Sequence, residues 1–373
     1  MSRNLVLPSL RVEGFRAFGR LEIEPLGRVN LIVGRNGVGK SSVLEAVRLY
    51  ATQGYPSVLQ EILEARDETK RANPELLHAD ADSDPLVGVQ YLFHGYPALS
   101  PDAAPIRIGP TASAEAQLEV SVHLYREERD EQGYSRLVEA GNGEASDSVV
   151  PGLGIAFGDK LRIVRLDDLR RLRRRFAPRS QRADFACVQV SPRGPDDLNP
   201  IGKLWDSIAL TERESDVIDG LRIVMPEVER VSLVGEEERS RGRFAVAKLK
   251  HRGEPLPLRS LGGGVSRVFE IVLALVNAKG GVLLIDEVEN GLHYSVQAEL
   301  WRAIIRLAGR LGVQVFTTSH SWDCIEAFQE AGRDCSEEDA VLIRLTRHGD
   351  EVAATTFAEE ELGVVTRDQI EVR

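Results

Sequence analysis

The chain has few cysteines, and their spacing excludes two kinds of small, cross-linked domain. Its 373 residues contain only Cys187, Cys324 and Cys335, which are widely separated and form no C-x-x-C pair. Such a set predicts neither a disulfide framework nor a zinc knuckle. With 42% apolar residues, the chain is long enough to bury a core without cross-links. We therefore expect a reducing, cytoplasmic environment.

Long apolar runs are also missing from the sequence. The first residues, Met1-Ser2-Arg3-Asn4-Leu5, lack the apolar segment of a signal peptide. No stretch approaches the roughly 18 uninterrupted apolar residues that a membrane-spanning helix needs. We predict a soluble protein with no membrane partner.

The sequence also lacks an excess of positive charge. The formal net charge of −11 argues against a protein that is coated in nucleic acid over its whole surface. One arginine-rich segment opposes this average, and it predicts either a solvated charged helix or a docking surface for DNA or a partner protein. The segment contains Arg162, Arg165, Arg170, Arg171, Arg173, Arg174, Arg175, Arg179 and Arg182.

Hydrophobic patterning predicts an α/β fold with an antiparallel β subdomain and a helical insertion. The first third has short strand patterns and one helix pattern; predicted strands are 10–14, 21–24, 29–33, 87–93, 117–125 and 135–139, with a helix over 40–50. The last third alternates helices over 265–278 and 295–308 with strands over 282–285 and 313–317, and ends with strands over 341–345 and 352–357. We expect three regions: 1–155, a mainly helical insertion over 156–240, and 241–373.

The clearest motif lies between the third predicted strand and the first helix. Residues 34–41, Gly-Arg-Asn-Gly-Val-Gly-Lys-Ser, fit the phosphate-loop pattern G-x-x-x-x-G-K-[ST]. Glycines let backbone N–H groups surround phosphate oxygens, the lysine reaches the β- and γ-phosphates, and the serine hydroxyl faces Mg²⁺. The alternative is a glycine-rich turn that matches by accident. The predicted ATP-binding residues are Gly34, Asn36, Gly37, Val38, Gly39, Lys40, Ser41 and Ser42.

Polar side chains follow two predicted strands of the last third. Asp286 and Glu287 end the apolar run that starts at Val282, and His320 follows the next strand. The carboxyl ends of parallel strands open into the ligand crevice, so Asp286 is expected to hold Mg²⁺ together with Ser41. Glu287 is expected to orient the attacking water, and His320 to contact the γ-phosphate or that water. The alternatives are an acidic turn and a structural histidine.

A second glycine turn, Ser260-Leu261-Gly262-Gly263-Gly264, precedes the predicted helix of the last third. It is either a flexible hinge or a second anion site. One chain has little use for a second phosphate site. Two facing chains would each offer this turn, through Ser260, Gly262 and Gly263, to the nucleotide of the other.

Four features follow one another along the chain: the phosphate loop, the glycine turn before a helix, the pair Asp286-Glu287 and His320. In this order they resemble the head of an ABC-type ATPase. About 250 residues separate Lys40 from Asp286, as in heads split by an insertion in the SMC, RecF and OLD branches. Residues 14–18, Gly-Phe-Arg-Ala-Phe, and 286–293, Asp-Glu-Val-Glu-Asn-Gly-Leu-His, look like the stand-alone OLD-like ATPases of prokaryotes. The resemblance implies ATP and Mg²⁺ as cofactors and a homodimer with ATP between its subunits.

Carried over by position, the resemblance assigns roles to matching residues. Lys40 and Ser41 match the Walker A motif, Asp286 the Walker B carboxylate and Glu287 the catalytic glutamate. His320 matches the switch histidine and Ser260 the signature serine, although Leu261 and Gly263 depart from the transporter signature. The D-loop falls at 290–293. Gln90 is a candidate Q-loop residue, and Phe15, Arg16 or Phe18 is expected near the adenine unless the phenylalanines are core residues.

The same resemblance bears on partners. OLD-family proteins often carry a Toprim nuclease domain, and the roughly 50 residues after His320 leave no room for one. We therefore expect a separately encoded effector, such as a nuclease, in anti-phage defence or DNA maintenance. Direct DNA binding by a RecF-like repair ATPase is one alternative. The nucleotide-binding subunit of an ABC transporter is another.

Overall fold

The computed structural model describes residues 5–68, 88–97, 100–113, 115–129, 135–140, 149–165, 185–191, 199–235, 243–335 and 340–357. In this part of the chain, the strands are β1 Leu10–Phe15, β2 Phe18–Ile23, β3 Val29–Val33, β4 Ile106–Gly109, β5 Leu118–Arg129, β6 Ser135–Glu139, β7 Val149–Phe157, β8 Lys160–Arg165, β9 Cys187–Val190, β10 Val228–Val234, β11 Phe244–Leu249, β12 Leu256–Pro257, β13 Val282–Ile285, β14 Gln314–Thr318, β15 Ala340–His348 and β16 Glu351–Phe357. The α-helices are α1 Lys40–Ala51, α2 Pro56–Ala65, α3 Asn199–Asp206, α4 Arg213–Val224, α5 Gly263–Asn277, α6 Gln297–Leu311 and α7 Trp322–Asp334.

The central sheet positions the functional residues. Its strand order is β16-β15-β3-β14-β13-β9, with β16 antiparallel and the other five parallel. Every residue of β3, β13 and β14 is buried, as expected for parallel strands covered on both faces. Along β3, Leu31 packs into the core that holds α5, α6 and α7, while Ile32 packs into the core that holds α1 and α2.

The second large sheet is antiparallel, with strand order β2-β1-β4-β5-β7-β8 and β6 paired to β5. Its apolar face packs against α1 and α2, through residues such as Val12, Ile108 and Leu153. The α/β fold class with an antiparallel β subdomain is therefore confirmed. This packing matters for the site because it presses the turn between β1 and β2 against the start of α1.

The central region has a mixed composition. A small sheet, β10-β11-β12, leads through a 3₁₀ turn at Leu258–Leu261 into α5. The described part of 156–240 holds the helices α3 and α4, but also the strands β8, β9 and β10. Strand β9 completes the edge of the central sheet beside β13. The three region boundaries stay a prediction.

Most predicted elements of the described residues are confirmed within a few positions, with one clear exception. The strand predicted over 87–93 is wrong, because Val89–Leu92 forms a 3₁₀ turn. Its buried residues, Val89 and Leu92, are three positions apart, which fits three residues per turn and not the alternation of a strand.

The arginine-rich segment lies outside the described residues except for Arg162 and Arg165. Arg162 donates to the carbonyl oxygen of Gln53 at 3.0 Å and lies over the ring of Tyr55, so it belongs to internal packing. All three cysteines are free thiols. Among the helices in the described ranges, none is long and apolar enough to cross a membrane.

Candidate functional site

The phosphate loop joins β3 to α1 and depends on two glycines with positive φ. Gly39 precedes α1 with φ 112°, and a Cβ atom there would lie 2.7 Å from the Phe18 ring. At Gly34, with φ 146°, a Cβ would lie 2.6 Å from the carbonyl oxygen of Leu345. Only glycine fits both the backbone conformation and these close approaches. The loop is thus held between the β1–β2 turn and strand β15.

Lys40 is the first residue of α1, and its side chain folds back over the loop. The Nζ atom lies 2.7 Å from the carbonyl oxygen of Gly34 and 3.2 Å from that of Arg35. Burial lowers the pKa of the Lys40 ammonium group, while the carboxylates of Asp286 and Glu287 oppose that shift. A half-buried ammonium facing acidic side chains is well placed to bind an anion.

Ser41 meets Asp286 across the edge of the central sheet. The Ser41 hydroxyl lies 3.0 Å from Oδ2 and 3.2 Å from Oδ1 of Asp286. Thr318 also donates from its hydroxyl to Oδ1 of the same carboxylate, at 2.5 Å. The three residues follow or end β3, β13 and β14, which are parallel neighbours whose carboxyl ends share one edge.

This pair fits a magnesium ion. Hydroxyl and carboxylate oxygens are hard ligands of the kind that Mg²⁺ prefers, and Mg²⁺ commonly takes only one or two protein ligands beside phosphate oxygens and water. No group of three or more His, Cys, Asp or Glu side chains that could hold a metal occurs among the described residues. Ser41 and Asp286 are therefore the residues that would hold Mg²⁺ in company with a nucleotide.

Glu287 follows Asp286 in a strained backbone conformation. Its φ is 49°, and its N–H donates to the Thr318 hydroxyl at 2.8 Å. Its carboxylate accepts a hydrogen bond from the side-chain amide of Asn290 at 2.5 Å. A non-glycine residue in this region costs about 1–3 kcal/mol and is found at functional sites that over-determine its position. The strain turns the chain sharply after β13, and Glu287 lines the same cleft as Lys40.

His320 lies near this edge but does not line the cleft. Its side chain is 52% exposed, and Nδ1 is 3.5 Å from Oε1 of Glu289. The same Glu289 oxygen accepts from the Ser319 hydroxyl at 2.8 Å and from the His320 N–H at 3.2 Å. Glu289 therefore positions the turn that carries the histidine. The catalytic role of His320 stays a prediction.

The second glycine turn lies apart from the phosphate loop. Ser260, Gly262 and Gly263 are exposed, and none of them lines the cleft around Lys40. Gly262 has φ 115°, and a Cβ added there would meet nothing within 4 Å. Within one chain the structure does not bring the two turns together. Contact with the nucleotide of a second chain stays a prediction.

The cleft around Lys40 has a volume of about 740 Å³ and unites most of the predicted residues. Gly34 and Val38 are absent from its lining, because Gly34 touches Leu345 and the Val38 side chain is buried in the core. The predicted residues that line it are Asn36, Gly37, Gly39, Lys40, Ser41, Ser42, Asp286 and Glu287.

The remaining lining residues come from distant parts of the sequence. Of the three residues expected near the adenine, Arg16 lines the cleft. Phe15 and Phe18 are fully buried, so the alternative that they are core residues is correct. Gln90 does not line the cleft, and its Q-loop role stays a prediction. The lining residues that carry no prediction are Ala17, Arg66, His94, Gly95, Tyr96, Arg347 and Asp350.

A partly buried ionic cluster forms one wall of the cleft. Arg16 contacts Glu45 at 2.5 Å and Glu68 at 2.8 Å, and Arg66 contacts the other oxygen of Glu45 at 2.7 Å. Burial raises the pKa of the Glu45 carboxyl, and the two arginines oppose that shift. Arg66 also reaches the Ser42 hydroxyl at 3.4 Å. The cluster links the β1–β2 turn, α1 and the end of α2 at the phosphate site.

Comparison with known proteins agrees with this geometry. Residues 9–78 match a family model described as an AAA domain, and residues 201–325 match one described as an AAA ATPase domain. The first segment contains the phosphate loop, and the second contains the glycine turn, Asp286, Glu287 and His320. Both halves of the site thus lie in segments that match AAA family models.

Individual relatives are distant. The chain is similar to an ATP/GTP phosphatase of Helicobacter pylori, with 22% identity over 96% of this chain and 100% of that protein. A Methanocaldococcus jannaschii protein, MJECL10, is 36% identical over 63 residues, which cover 16% of this chain and 29% of that protein. Among solved structures, the SMC head domain from Thermotoga maritima has a TM-score of 0.44 at 14% identity, covering 94% of this chain and 98% of its own. An SmcHead bound to the C-winged helix domain of ScpA has a TM-score of 0.47 at 13% identity, covering 95% and 98%.

Proposed function

We propose that this chain binds ATP at the loop 34–41 and hydrolyses it to ADP and phosphate. One observation carries the proposal: the Ser41 hydroxyl faces the Asp286 carboxylate, and Glu287 lines the same cleft. The cleft thereby gathers a phosphate cradle, a pair of oxygen ligands and a carboxylate that can orient water. Those are the parts that phosphoryl transfer to water requires.

Each part has a role in the proposed reaction. Lys40 and the backbone N–H groups of the loop bind the phosphates, and the positive end of α1 favours their charge. A magnesium ion held by Ser41 and Asp286 would offset negative charge on the phosphate oxygens. Glu287 accepts a hydrogen bond from the water that attacks the γ-phosphorus, and Asn290 holds the carboxylate in place. The bond between the γ-phosphorus and the oxygen that bridges it to the β-phosphate breaks, and ADP and phosphate leave.

Two comparisons support hydrolysis in addition to binding. Residues 201–325 match a model described as an AAA ATPase domain, and residues 9–78 match one described as an AAA domain. The Helicobacter pylori relative, aligned over almost the whole chain, is named as a phosphatase of ATP and GTP. The carboxylate pair supports the same reaction independently, since nucleotide binding alone needs no Glu287.

We propose that two copies of the chain complete the site. The glycine turn at Ser260, Gly262 and Gly263 is exposed and does not line the cleft around Lys40 in its own chain. Exposed N–H groups at the start of the 15-residue helix α5 would suit the phosphates that a second copy holds. ATP would then join the two subunits, and hydrolysis would release them.

Glu287→Gln tests both proposals, because it keeps the shape of the side chain but removes the charge that orients water. We expect the dissociation constant for ATP to change by less than about twofold and hydrolysis to slow roughly 100-fold or more. ATP should then accumulate a dimer, with a light-scattering mass near twice 41.2 kDa. Glu254→Gln, at an exposed position outside the cleft, is the matched control. Normal turnover by a monomeric Glu287→Gln variant would contradict the assignment.

We further propose that the ATP-bound dimer acts as a sensor or scaffold for a separately encoded effector, in anti-phage defence or DNA maintenance. The trapped Glu287→Gln variant should retain products of neighbouring genes that a variant unable to bind ATP does not. Equal retention by both variants would contradict this role. Salt-sensitive binding to DNA without any partner would instead favour a repair ATPase, and co-purification with a membrane protein would favour a transporter subunit.

A further inference from the structure

An exposed aromatic ring stands in the cleft beside the phosphate loop. Tyr96 is 56% exposed and lines the same cleft as Lys40 and Ser42. Its ring meets that of Tyr91 edge to face, with centroids 5.5 Å apart. A tyrosine ring has a large apolar surface, and covering that surface with a ligand is favourable. At 56% exposure, much of the Tyr96 ring surface is open to a flat ligand.

The backbone at this position is strained. Tyr96 has φ 53°, and the preceding Gly95 has φ 74°. A bulky residue in the left-handed region is uncommon, and such residues concentrate at sites that clamp ligands. The conformation turns the chain back after the 3₁₀ turn at Val89–Leu92. It also sets the direction in which the Tyr96 ring projects.

Hydrogen bonds fix this turn relative to the phosphate loop. The N–H of His94 donates to the Gly14 carbonyl at 2.9 Å, and Nδ1 of His94 lies 2.9 Å from the Arg16 carbonyl oxygen. The β1–β2 turn that receives these contacts packs directly on Gly39 of the loop. A short series of direct contacts thus fixes the turn that carries Tyr96 relative to the phosphate loop.

Charged residues distinguish one end of the cleft from the other. Asp286 and Glu287 mark the end where the terminal phosphate is attacked under the proposed function. On another side Arg66 lies 3.4 Å from the Ser42 hydroxyl and lines the same cleft as Tyr96. A nucleotide whose phosphates follow the loop would pass Ser42 and Arg66 before its nucleoside reaches Tyr96. The aromatic ring is then where a base would lie.

We propose that Tyr96 is the platform on which the base of the bound nucleotide stacks, and that the site accepts adenine and guanine alike. Stacking uses the π face that every base has, so it is tolerant of base identity. Two polar side chains of the cleft lining already have protein partners: Nδ1 of His94 lies 2.9 Å from the Arg16 carbonyl oxygen, and Arg66 pairs with Glu45. This inference rests on the proposed function, since it concerns the substrate of the same site.

The test compares ligands that have a base with one that has none. Binding of Mg²⁺–ATP, Mg²⁺–GTP and Mg²⁺–tripolyphosphate to the full chain is measured by calorimetry for wild type, Tyr96→Ala and Tyr96→Phe. We expect Tyr96→Ala to weaken ATP and GTP binding between about 5- and 150-fold, the range that base stacking supplies. Tripolyphosphate binding should change less than about twofold, and Tyr96→Phe should restore nucleotide binding. Phe244→Ala removes an exposed aromatic outside the cleft and is the matched control.

Steady-state kinetics provide a second readout. Tyr96→Ala should raise KM for both nucleotides by the same factor as the dissociation constants and leave kcat within about twofold. Unchanged ATP binding by Tyr96→Ala, or an equal loss of tripolyphosphate binding, would overturn the platform. A wild-type preference of more than about 100-fold between ATP and GTP would overturn the claim about bases. If the wild-type chain binds no nucleotide at all, the proposed function itself fails, and that outcome is distinct from all of these.

Discussion

Two glycine turns of this chain each place a glycine with positive φ immediately before a helix. Gly39 precedes α1 with φ 112°, and Gly262 precedes α5 with φ 115°. Neither helix has a side-chain hydrogen bond at its N-terminal cap, so each presents unsatisfied backbone N–H groups. By local geometry, both turns could receive an anion.

The surroundings of the two turns differ completely. Gly39 is pressed against Phe18, and Lys40, Ser41 and Asp286 gather beside it because parallel strands end at one edge. Around Gly262 the chain leaves open space, with Ser260 and Gly263 exposed. A helix start with glycine is therefore only a part of a phosphate site. The sheet edge supplies the rest at the first turn, and a second copy would have to supply it at the other.

The largest expected effect is a difference in ATP affinity between removing the cation of the first turn and removing that of the second. Lys40→Ala removes the ammonium group that lies over the loop, and we expect ATP affinity to fall by about 100-fold or more, because charge-assisted hydrogen bonds to phosphate are lost. Arg259→Ala removes an exposed cation of the second turn and should leave ATP binding by the monomer within about twofold. Calorimetry on both variants measures the contrast. Equal losses would show that the two turns act as one site in a single chain.

The next prediction concerns the stability that each turn gives to the folded chain. Gly39→Ala adds a Cβ 2.7 Å from the Phe18 ring in a strained conformation, and we expect it to lower the free energy of unfolding by about 4 kcal/mol. Gly262→Ala incurs the backbone strain without a clash, and the expected loss is about 2 kcal/mol. Urea unfolding of the two variants gives the comparison. Equal destabilisation would mean that Phe18 moves aside without cost.

The parts of the site that the sequence predicts are those with a local signal. The phosphate loop is contiguous, and Asp286 follows a short, unbroken apolar run preceded by glycines, which predicts a buried strand. Parallel pairing of β3, β14 and β13 then follows from the alternation of strands and helices. These local patterns were sufficient to predict that Ser41 and Asp286 lie together.

The missed residues reach the cleft through tertiary structure alone. Arg66, Tyr96 and Arg347 lie in different elements, and no short motif marks any of them. Arg347 arrives because β15 pairs with β3, which carries the β15–β16 turn to the loop, where Nη2 is 3.3 Å from the Gly37 carbonyl oxygen. The His-Gly-Tyr turn is placed by hydrogen bonds to the β1–β2 turn. Pairing of this kind depends on partners far away in the sequence.

The smallest effect tests whether the second turn acts on another chain. Ser260→Arg places a long cation on an exposed turn, so folding and ATP binding by the monomer should stay within about twofold of wild type. If a second copy docks there, the bulk and charge should lower kcat by about tenfold and prevent the ATP-dependent dimer in the Glu287→Gln background. Phosphate release and light scattering measure both effects, with Ala112→Arg, at an exposed neutral position outside the cleft, as a control of equal charge change. Normal turnover together with a normal trapped dimer would show that the turn at Ser260 is a hinge and that the phosphate loop works without it.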